Sequence, residues 1–126
     1  MERTFVDEAL RTKIIDVLES QHLMALATVR ADGYPQTTMV NYIHEGLTLY
    51  FASDAASQKA GNIKINSKVS AAITSETADF YKLRGLSLSG LAKRVVDTHK
   101  AEEFLCPGEV VPVEIQIWPT GLLFLF

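Results

Sequence analysis

Two serines and a lysine occur together after a predicted strand, and their chemistry suits a small anion. They are Ser53, Ser57 and Lys59, within the segment 53–66. Ser57 is a favourable first residue for a helix, and backbone N–H groups at a helix N-terminus are unpaired at the positive end of the helix dipole. Ser57, Gln58 and Lys59 would thus offer N–H donors, a hydroxyl and a positive charge to one phosphate. The alternative is a capped surface helix whose lysine is merely solvated.

The composition is typical of one globular domain with an apolar face to cover. The chain has 126 residues, and we treat residues 1–126 as a single domain. A hydrophobic fraction of 48% and a mean hydropathy of +0.12 are high for this size and predict a buried surface, most simply a homodimer interface. The net charge of −3 shows no basic excess, so no nucleic-acid partner is expected.

The sequence gives no sign of secretion or of a membrane partner. Cys106 is the single cysteine and cannot form a disulfide within the chain. The charged N-terminus is unlike a signal peptide. The apolar residues 121–126 are far fewer than the roughly 20 that a membrane-spanning helix requires. We therefore expect a cytoplasmic protein that does not bind membranes.

Hydrophobic periodicity predicts a mainly β chain with flanking helices. Helices are predicted over residues 5–20, for a few turns after Ser57, and over residues 98–105. Alternating and β-branched runs predict strands over residues 23–29, 36–43, 47–52, 69–74, 86–96 and 110–118. Residues 122–126 form either a short last strand or a tail that faces a partner. Six short strands with brief turns favour a small β-barrel.

Motifs of other enzyme classes do not occur in the sequence. His22, His44 and His99 lack metal-ligand spacing, so no metal site is expected. There is no Gly-x-Ser-x-Gly elbow, Walker loop or dinucleotide-binding glycine motif. Cys106, beside Pro107, is interpreted as a packed or surface thiol rather than a nucleophile.

Several short motifs, taken together and in order, resemble one protein family. They are Leu26-Ala-Thr-Val29, Asp32-Gly33-x-Pro35, Leu49-Tyr-Phe-Ala-Ser53, Ser57-x-Lys59-Ala-x-Asn62-Ile and Asn66-x-x-Val69-Ser. In this combination the chain resembles the pyridoxamine phosphate oxidase-like proteins, the FMN-binding split barrels, from about residue 5 to residue 118. The resemblance implies a six-stranded split β-barrel of the FMN-binding type that forms a homodimer, with FMN at the subunit interface.

The resemblance also implies which residues bind FMN. The phosphate would be held after the third strand by Ser53, Ser57, Gln58 and Lys59. The isoalloxazine ring would lie along the second strand and form hydrogen bonds with the backbone of Thr38, Met39, Val40 and Asn41. The partner chain would contribute Arg84 from the loop before the fifth strand.

The implied function is that of a flavin-dependent oxidoreductase acting on an unidentified small organic substrate. Catalytic side chains are not assigned, because the flavin itself carries the hydride or electron chemistry. Gln58 stands where the family often has arginine, and the second strand lacks the Arg and Lys of pyridoxamine phosphate oxidases, which argues against vitamin B6 as the substrate. The alternatives are a non-catalytic carrier or storage protein for flavin, deazaflavin or haem on the same fold, and an interaction domain without a cofactor.

Overall fold

The computed structural model describes residues 8–75, 85–95, 110–117 and 124–125. Over these residues the helices are α1 (Glu8–Ser20) and α2 (Gln58–Ile65). The strands are β1 (Leu23–Val29), β2 (Pro35–Asn41), β3 (Ile43–Glu45), β4 (Thr48–Asp54), β5 (Lys68–Thr74), β6 (Gly85–Arg94), β7 (Val110–Ile117) and β8 (Phe124–Leu125). The prediction of a mainly β fold with flanking helices is confirmed. The helix predicted over residues 98–105 lies outside the described residues.

All the strands join one antiparallel sheet that curls into a split barrel. Its order is β2-β1-β5-β6-β7-β4-β3, and β8 pairs with β6 beside the end of β7. The first and last strands of this path, β2 and β3, are neighbours in sequence and are separated only by Tyr42. The chain therefore passes from one end of the sheet to the other at Tyr42, which brings β2 close to β4.

The strand count is eight over the described residues, where the sequence predicted six. One difference is that the predicted strand 36–43 is divided at Tyr42. The Tyr42 N–H donates to the carbonyl of His22 at 3.0 Å, at the end of the β1–β2 pairing, and the chain then pairs with β4 from Ile43↔Tyr50 onward. The Tyr42 hydroxyl donates to the carbonyl of Leu18 at 2.8 Å and so fixes the bend against α1. The other difference is β8, a strand of two described residues, 124–125, that pairs with β6 at Leu86↔Leu125.

The core lies inside the curl of the sheet, and α1 packs against it. Alternation along each strand turns one face inward, as the burial of Met24, Leu26 and Thr28 in β1 shows. The side chains of Ile14 and Leu18 carry α1 into the same core. Burying a side chain of this size contributes roughly 1.5–3 kcal/mol, so these positions hold the helix on the barrel. The completely buried hydrophobic core residues are Ile14, Met24, Leu26, Leu49, Leu86 and Ile115.

The turn between β1 and β2 forms as the sequence predicts. Gly33 has a φ of 88°, a left-handed conformation that favours glycine. Its N–H donates to the carbonyl of Arg30 at 2.9 Å, and the Arg30 N–H donates to the carbonyl of Tyr34 at 2.8 Å. The closed turn fixes the register of β2, the strand that forms one wall of the site described next.

Candidate functional site

A cavity of about 400 Å³ opens between β2 and β4, where the barrel is split. This volume is within the range of small-molecule pockets in proteins. Its described lining residues are Met39, Val40, Asn41, Tyr42, Ile43, Tyr50, Phe51, Ala52, Ser53, Asp54 and Lys59. One wall thus comes from β2 and the bend that follows it, the other comes from β4, and α2 contributes a lysine.

The cavity brings together residues from both halves of the predicted FMN site. Met39, Val40 and Asn41 were predicted beside the flavin ring, and Ser53 and Lys59 beside the phosphate. Thr38, Ser57 and Gln58 are not among the lining residues. Arg84 lies outside the described residues. The structure therefore places the two predicted binding regions along one cavity, although they are far apart in sequence.

Ser53 and Ser57 form a hydrogen-bonded pair at the junction of β4 and α2. Ser53 is buried, and its Oγ lies 2.8 Å from the Ser57 Oγ. Ser57 also caps α2, because its Oγ accepts the N–H of Ala60 at 3.2 Å. A pair of hydroxyls uses one of its two hydrogens in the mutual bond. When Ser57 donates the mutual bond, the Ser53 hydrogen has only a long contact, 3.3 Å from its Oγ to the Asp54 carbonyl, and can turn to an anion.

The charges at this end of the cavity nearly cancel. Lys59 is half-buried and is the only cationic side chain among the described lining residues. Asp54 is an exposed anionic lining residue whose Oδ1 accepts the N–H of Ala56 at 2.9 Å. The sequence analysis missed Asp54, although its position beside Ser53 was a visible signal. A phosphate here would meet one positive and one negative side chain.

The Gln58 side chain forms its hydrogen bond within the protein. Its Nε2 donates to the Oδ1 of Asn62 at 2.8 Å, one turn along α2. Asn62 is buried and its Nδ2 donates to the hydroxyl of Thr28 in β1. Sequence reasoning missed this network; the available signal was a pair of amide side chains spaced four residues apart on a short helix.

Aromatic side chains form the inner part of the cavity wall. Tyr42, Tyr50 and Phe51 line it and are buried. Burial raises the pKa of Tyr42 to about 12. Its hydroxyl therefore stays protonated near neutral pH and donates to Leu18. Tyr42 accordingly has a structural role, because its side chain is buried and its hydroxyl is held by the backbone of α1.

Large apolar side chains are exposed beside the cavity. Met39 is 62% exposed and Ile43 is 47% exposed, and both line the cavity. Leu23 is 51% exposed and pairs with Asn41, which places it on the same outer face as Met39. An apolar face of this kind is typical of a surface that a partner covers.

Comparison with known proteins identifies the family. The family model described as pyridoxamine 5'-phosphate oxidase matches residues 10–110. The chain belongs to this family. This confirms the resemblance drawn from the motifs. The curated relative is general stress protein 26 of Bacillus subtilis (strain 168), 33% identical over 60 residues, which are 48% of this chain and 42% of that protein. The chain thus matches less than half of that relative's length.

Solved structures of other proteins have the same fold as this chain. General stress protein 26 of Bacillus anthracis str. Sterne has a TM-score of 0.75 at 24% identity, over 86% of this chain and 88% of that one. The haem storage protein HutZ of Vibrio cholerae has a TM-score of 0.73 at 16% identity, over 90% of this chain and 92% of that one. At these identities the likeness shows the split-barrel fold alone, and the fold is found both in a general stress protein and in a haem storage protein.

The described residues contain neither a membrane-spanning helix nor a metal-binding cluster. They contain no helix that is both long enough and apolar enough to span a membrane. They also contain no group of three or more His, Cys, Asp or Glu side chains that could hold a metal ion.

Proposed function

We propose that this member of the pyridoxamine 5'-phosphate oxidase family binds FMN between β2 and β4 and acts as a flavin-dependent oxidoreductase on a small organic substrate. The observation that carries the proposal is the lining of the cavity. Lys59 and Ser53 stand at one end, and Met39, Val40 and Asn41 run along one wall. The residues present therefore fit a ligand with an anionic end and a flat polar ring.

The phosphate end has donors of the right kind. Lys59 would pair with the phosphate as a charge, and the Ser53–Ser57 pair would donate a hydroxyl hydrogen. The helix α2 begins at Gln58 directly after Ser57, so its first N–H groups add positive potential at the same place. The two serines and the first turn of α2 are hydrogen-bonded to one another before any ligand arrives, which lowers the ordering cost of binding.

The ring end is suited to main-chain recognition. Among the described strands, β2 is the first in the sheet and pairs only with β1. Half of the peptide groups of such a strand point away from its single neighbour. Those of Met39 and its neighbours are thus available beside the cavity for the polar edge of a flavin. Tyr42, Tyr50 and Phe51 would exclude water from the inner side.

The chemistry of the reaction would come mainly from the cofactor. FMN, when bound, supplies hydride and electron transfer. The chain's contribution is to bind and orient the flavin and to shape the space in which the substrate lies. The Tyr42 hydroxyl donates a hydrogen bond to the Leu18 carbonyl, and its pKa is raised. Tyr42 is therefore not assigned a role as acid or base.

The proposal includes a cytoplasmic homodimer. A second copy placed over Leu23, Met39 and Ile43 would cover the exposed apolar face and close the open side of the cavity. In that arrangement Arg84 of the second copy remains a predicted additional cation for FMN. The charges of Lys59 and Asp54 nearly cancel within one chain, and the partner's arginine would add the positive charge that a phosphate needs.

A second candidate is a non-catalytic carrier or storage protein. The near-cancelling charges at the phosphate end favour it, and a haem storage protein shares the fold. Haem iron is most often held by a histidine, and no histidine occurs among the described lining residues. This favours FMN over haem as the ligand.

The two candidates are separated by incubating the purified protein with FMN, riboflavin or hemin and removing the excess ligand on a desalting column. The first proposal expects retained FMN with shifted flavin absorption bands, together with electron transfer from a nicotinamide donor to an acceptor that is faster than with the same concentration of free FMN. Retained flavin without this faster transfer would support a flavin carrier. Retained hemin without retained flavin would support the carrier. No retained ligand from either class would contradict both.

A further inference from the structure

One buried amide connects the helix at the phosphate end of the cavity with the strand that forms the opposite wall. Asn62 is 1% exposed. Its Nδ2 donates to the Oγ1 of Thr28 at 2.9 Å and to the Oε1 of Gln36 at 3.0 Å. Its Oδ1 accepts from the Nε2 of Gln58 at 2.8 Å. We refer to Asn62, Thr28, Gln36 and Gln58 as the Asn62 network.

The partners of Asn62 belong to one rung of the sheet. Thr28 in β1 and Gln36 in β2 face each other in the antiparallel register. Gln36 precedes Met39, a cavity wall residue, by three positions on the same strand. A shift of Asn62 relative to this rung therefore changes the distance between α2 and the wall formed by β2.

The helix has few other attachments to the barrel. α2 has eight residues, a length at which an isolated helix is unstable in water, and it contains Gly61 in its interior. Of its residues only Asn62 and Ile63 are buried. Its position thus depends on the Ser57 contact at its first turn, on the packing of Ile63 and on the amide of Asn62.

We propose that Asn62 is a positioning residue that holds α2, and with it Lys59, at a fixed distance from the β2 wall of the cavity. Lys59 precedes Asn62 by three residues, less than one helical turn, so the two move together. The consequence for ligand choice rests on the proposed function: the network sets how well the site distinguishes FMN from riboflavin, which lacks the phosphate. The attachment of α2 does not depend on that function.

The test changes a partner of Asn62 rather than Asn62 itself, because removing a buried amide could prevent folding. Gln36→Met keeps a similar size but removes the acceptor, and Gln36→Glu keeps an oxygen acceptor for the Asn62 amide. Gln21→Met is the matched control, since Gln21 has only a long 3.4 Å contact with Ser20 and lies outside the network. All variants are compared as the full chain.

The first measurement is hydrogen exchange without ligand, read at the N–H groups of Ala60, Gly61 and Asn66, which bond within α2 and its caps. Gln36→Met is expected to speed their exchange about tenfold and to leave the β5–β6 amides unchanged. Gln36→Glu is expected to restore protection, and Gln21→Met to have no effect. Unchanged exchange in α2 for Gln36→Met would overturn the proposal.

The second measurement is the affinity for FMN and for riboflavin. Gln36→Met is expected to weaken FMN binding about five- to tenfold and riboflavin binding less than twofold, with recovery in Gln36→Glu. Equal losses for both ligands, or none for FMN, would show a merely structural role and overturn the positioning inference. If the unaltered protein binds neither flavin, the proposed function fails, and the exchange data alone decide whether the network positions α2.

Discussion

The Oγ atoms of Ser53 and Ser57 lie 2.8 Å apart, and their hydrogen bond joins the end of β4 to the N-cap of α2. The short loop between them is fixed by further bonds, from the Ser57 N–H to the Asp54 carbonyl at 3.0 Å and from the Ala56 N–H to the Asp54 carboxylate at 2.9 Å. The end of the cavity proposed to bind phosphate is therefore ordered by the protein's own hydrogen bonds, and changes there can separate stability from ligand affinity.

Ser57 provides the first such separation. Ser57→Ala removes the N-cap and the bond to Ser53, and we expect a loss of about 1 kcal/mol in the free energy of unfolding together with weaker FMN binding. Ser57→Asp keeps a capping oxygen but adds a negative charge beside the phosphate. It should therefore be more stable than Ser57→Ala in urea unfolding yet bind FMN more weakly. The same rank order in both measurements would contradict a phosphate site at Ser57.

Lys59 is expected to carry the charge–charge part of FMN binding. Lys59→Ala should weaken FMN affinity roughly tenfold or more, the scale of one charged hydrogen bond, and riboflavin affinity much less. Lys59→Arg should retain most of the affinity because it keeps the charge. Lys64→Ala is the matched control, since Lys64 is exposed in the last turn of the same helix and does not line the cavity.

Fluorescence quenching of the flavin gives the dissociation constants for these variants. Similar losses in Lys59→Ala and Lys64→Ala would indicate general electrostatics rather than a contact at Lys59. An unchanged FMN affinity in Lys59→Ala would mean that the phosphate lies elsewhere.

Asp54 should oppose FMN binding. Asp54→Asn retains an oxygen that can accept the Ala56 N–H but removes the negative charge from the cavity lining. We expect FMN to bind several-fold more tightly at low ionic strength, with the gain shrinking as salt screens the repulsion. Riboflavin affinity should not change. Weaker FMN binding in Asp54→Asn would show that the carboxylate is needed to hold the loop and that this role outweighs its charge.

The outer apolar face is expected to form the homodimer interface. Leu23→Lys places a charge on that face at a residue outside the cavity lining, and it should shift the protein toward monomer at micromolar concentration. Ile65→Lys is the control, because Ile65 is 70% exposed but belongs to α2 rather than to the strands that carry this face. Light scattering reads the oligomeric state. A dimer in Leu23→Lys, or a monomer before any change, would contradict the proposed interface.

The sequence predicted the main elements because their patterns are local. Alternation along β1 and the Asp32–Gly33 turn depend on neighbouring residues only, and Ser57 was sufficient to predict the start of the short helix that the structure has at Gln58–Ile65. What it missed depends on contacts between distant residues. The chain changes its pairing partner from β1 to β4 at Tyr42, where the Tyr42 hydroxyl bonds to a residue 24 positions away, and Asn62 binds Thr28 across 34 positions.

Tyr42 allows a prediction about stability near neutral pH. Tyr42→Phe removes the hydroxyl and leaves the Leu18 carbonyl without its buried partner, so we expect a loss of about 1–2 kcal/mol in the free energy of unfolding. Tyr34→Phe is the control, because Tyr34 is 69% exposed in the β1–β2 turn and should change stability by less than about 0.5 kcal/mol. Equal effects of the two substitutions would contradict the role given to the Tyr42 hydroxyl.

The raised pKa of Tyr42 also predicts how the stability difference between the unaltered protein and Tyr42→Phe changes at alkaline pH. Burial raises the pKa of Tyr42 from 10.0 to about 12, so the folded protein holds the phenolic proton more tightly than the unfolded chain does. The stability that this proton contributes is complete below pH 10 and is lost as the pH rises toward 12. The free energy of unfolding falls there by at most about 1.4 kcal/mol per pH unit. Tyr42→Phe lacks this term, so the stability gap between the unaltered protein and Tyr42→Phe should narrow across that window in urea unfolding. A gap that stays constant would show that the hydroxyl is not held protonated by burial.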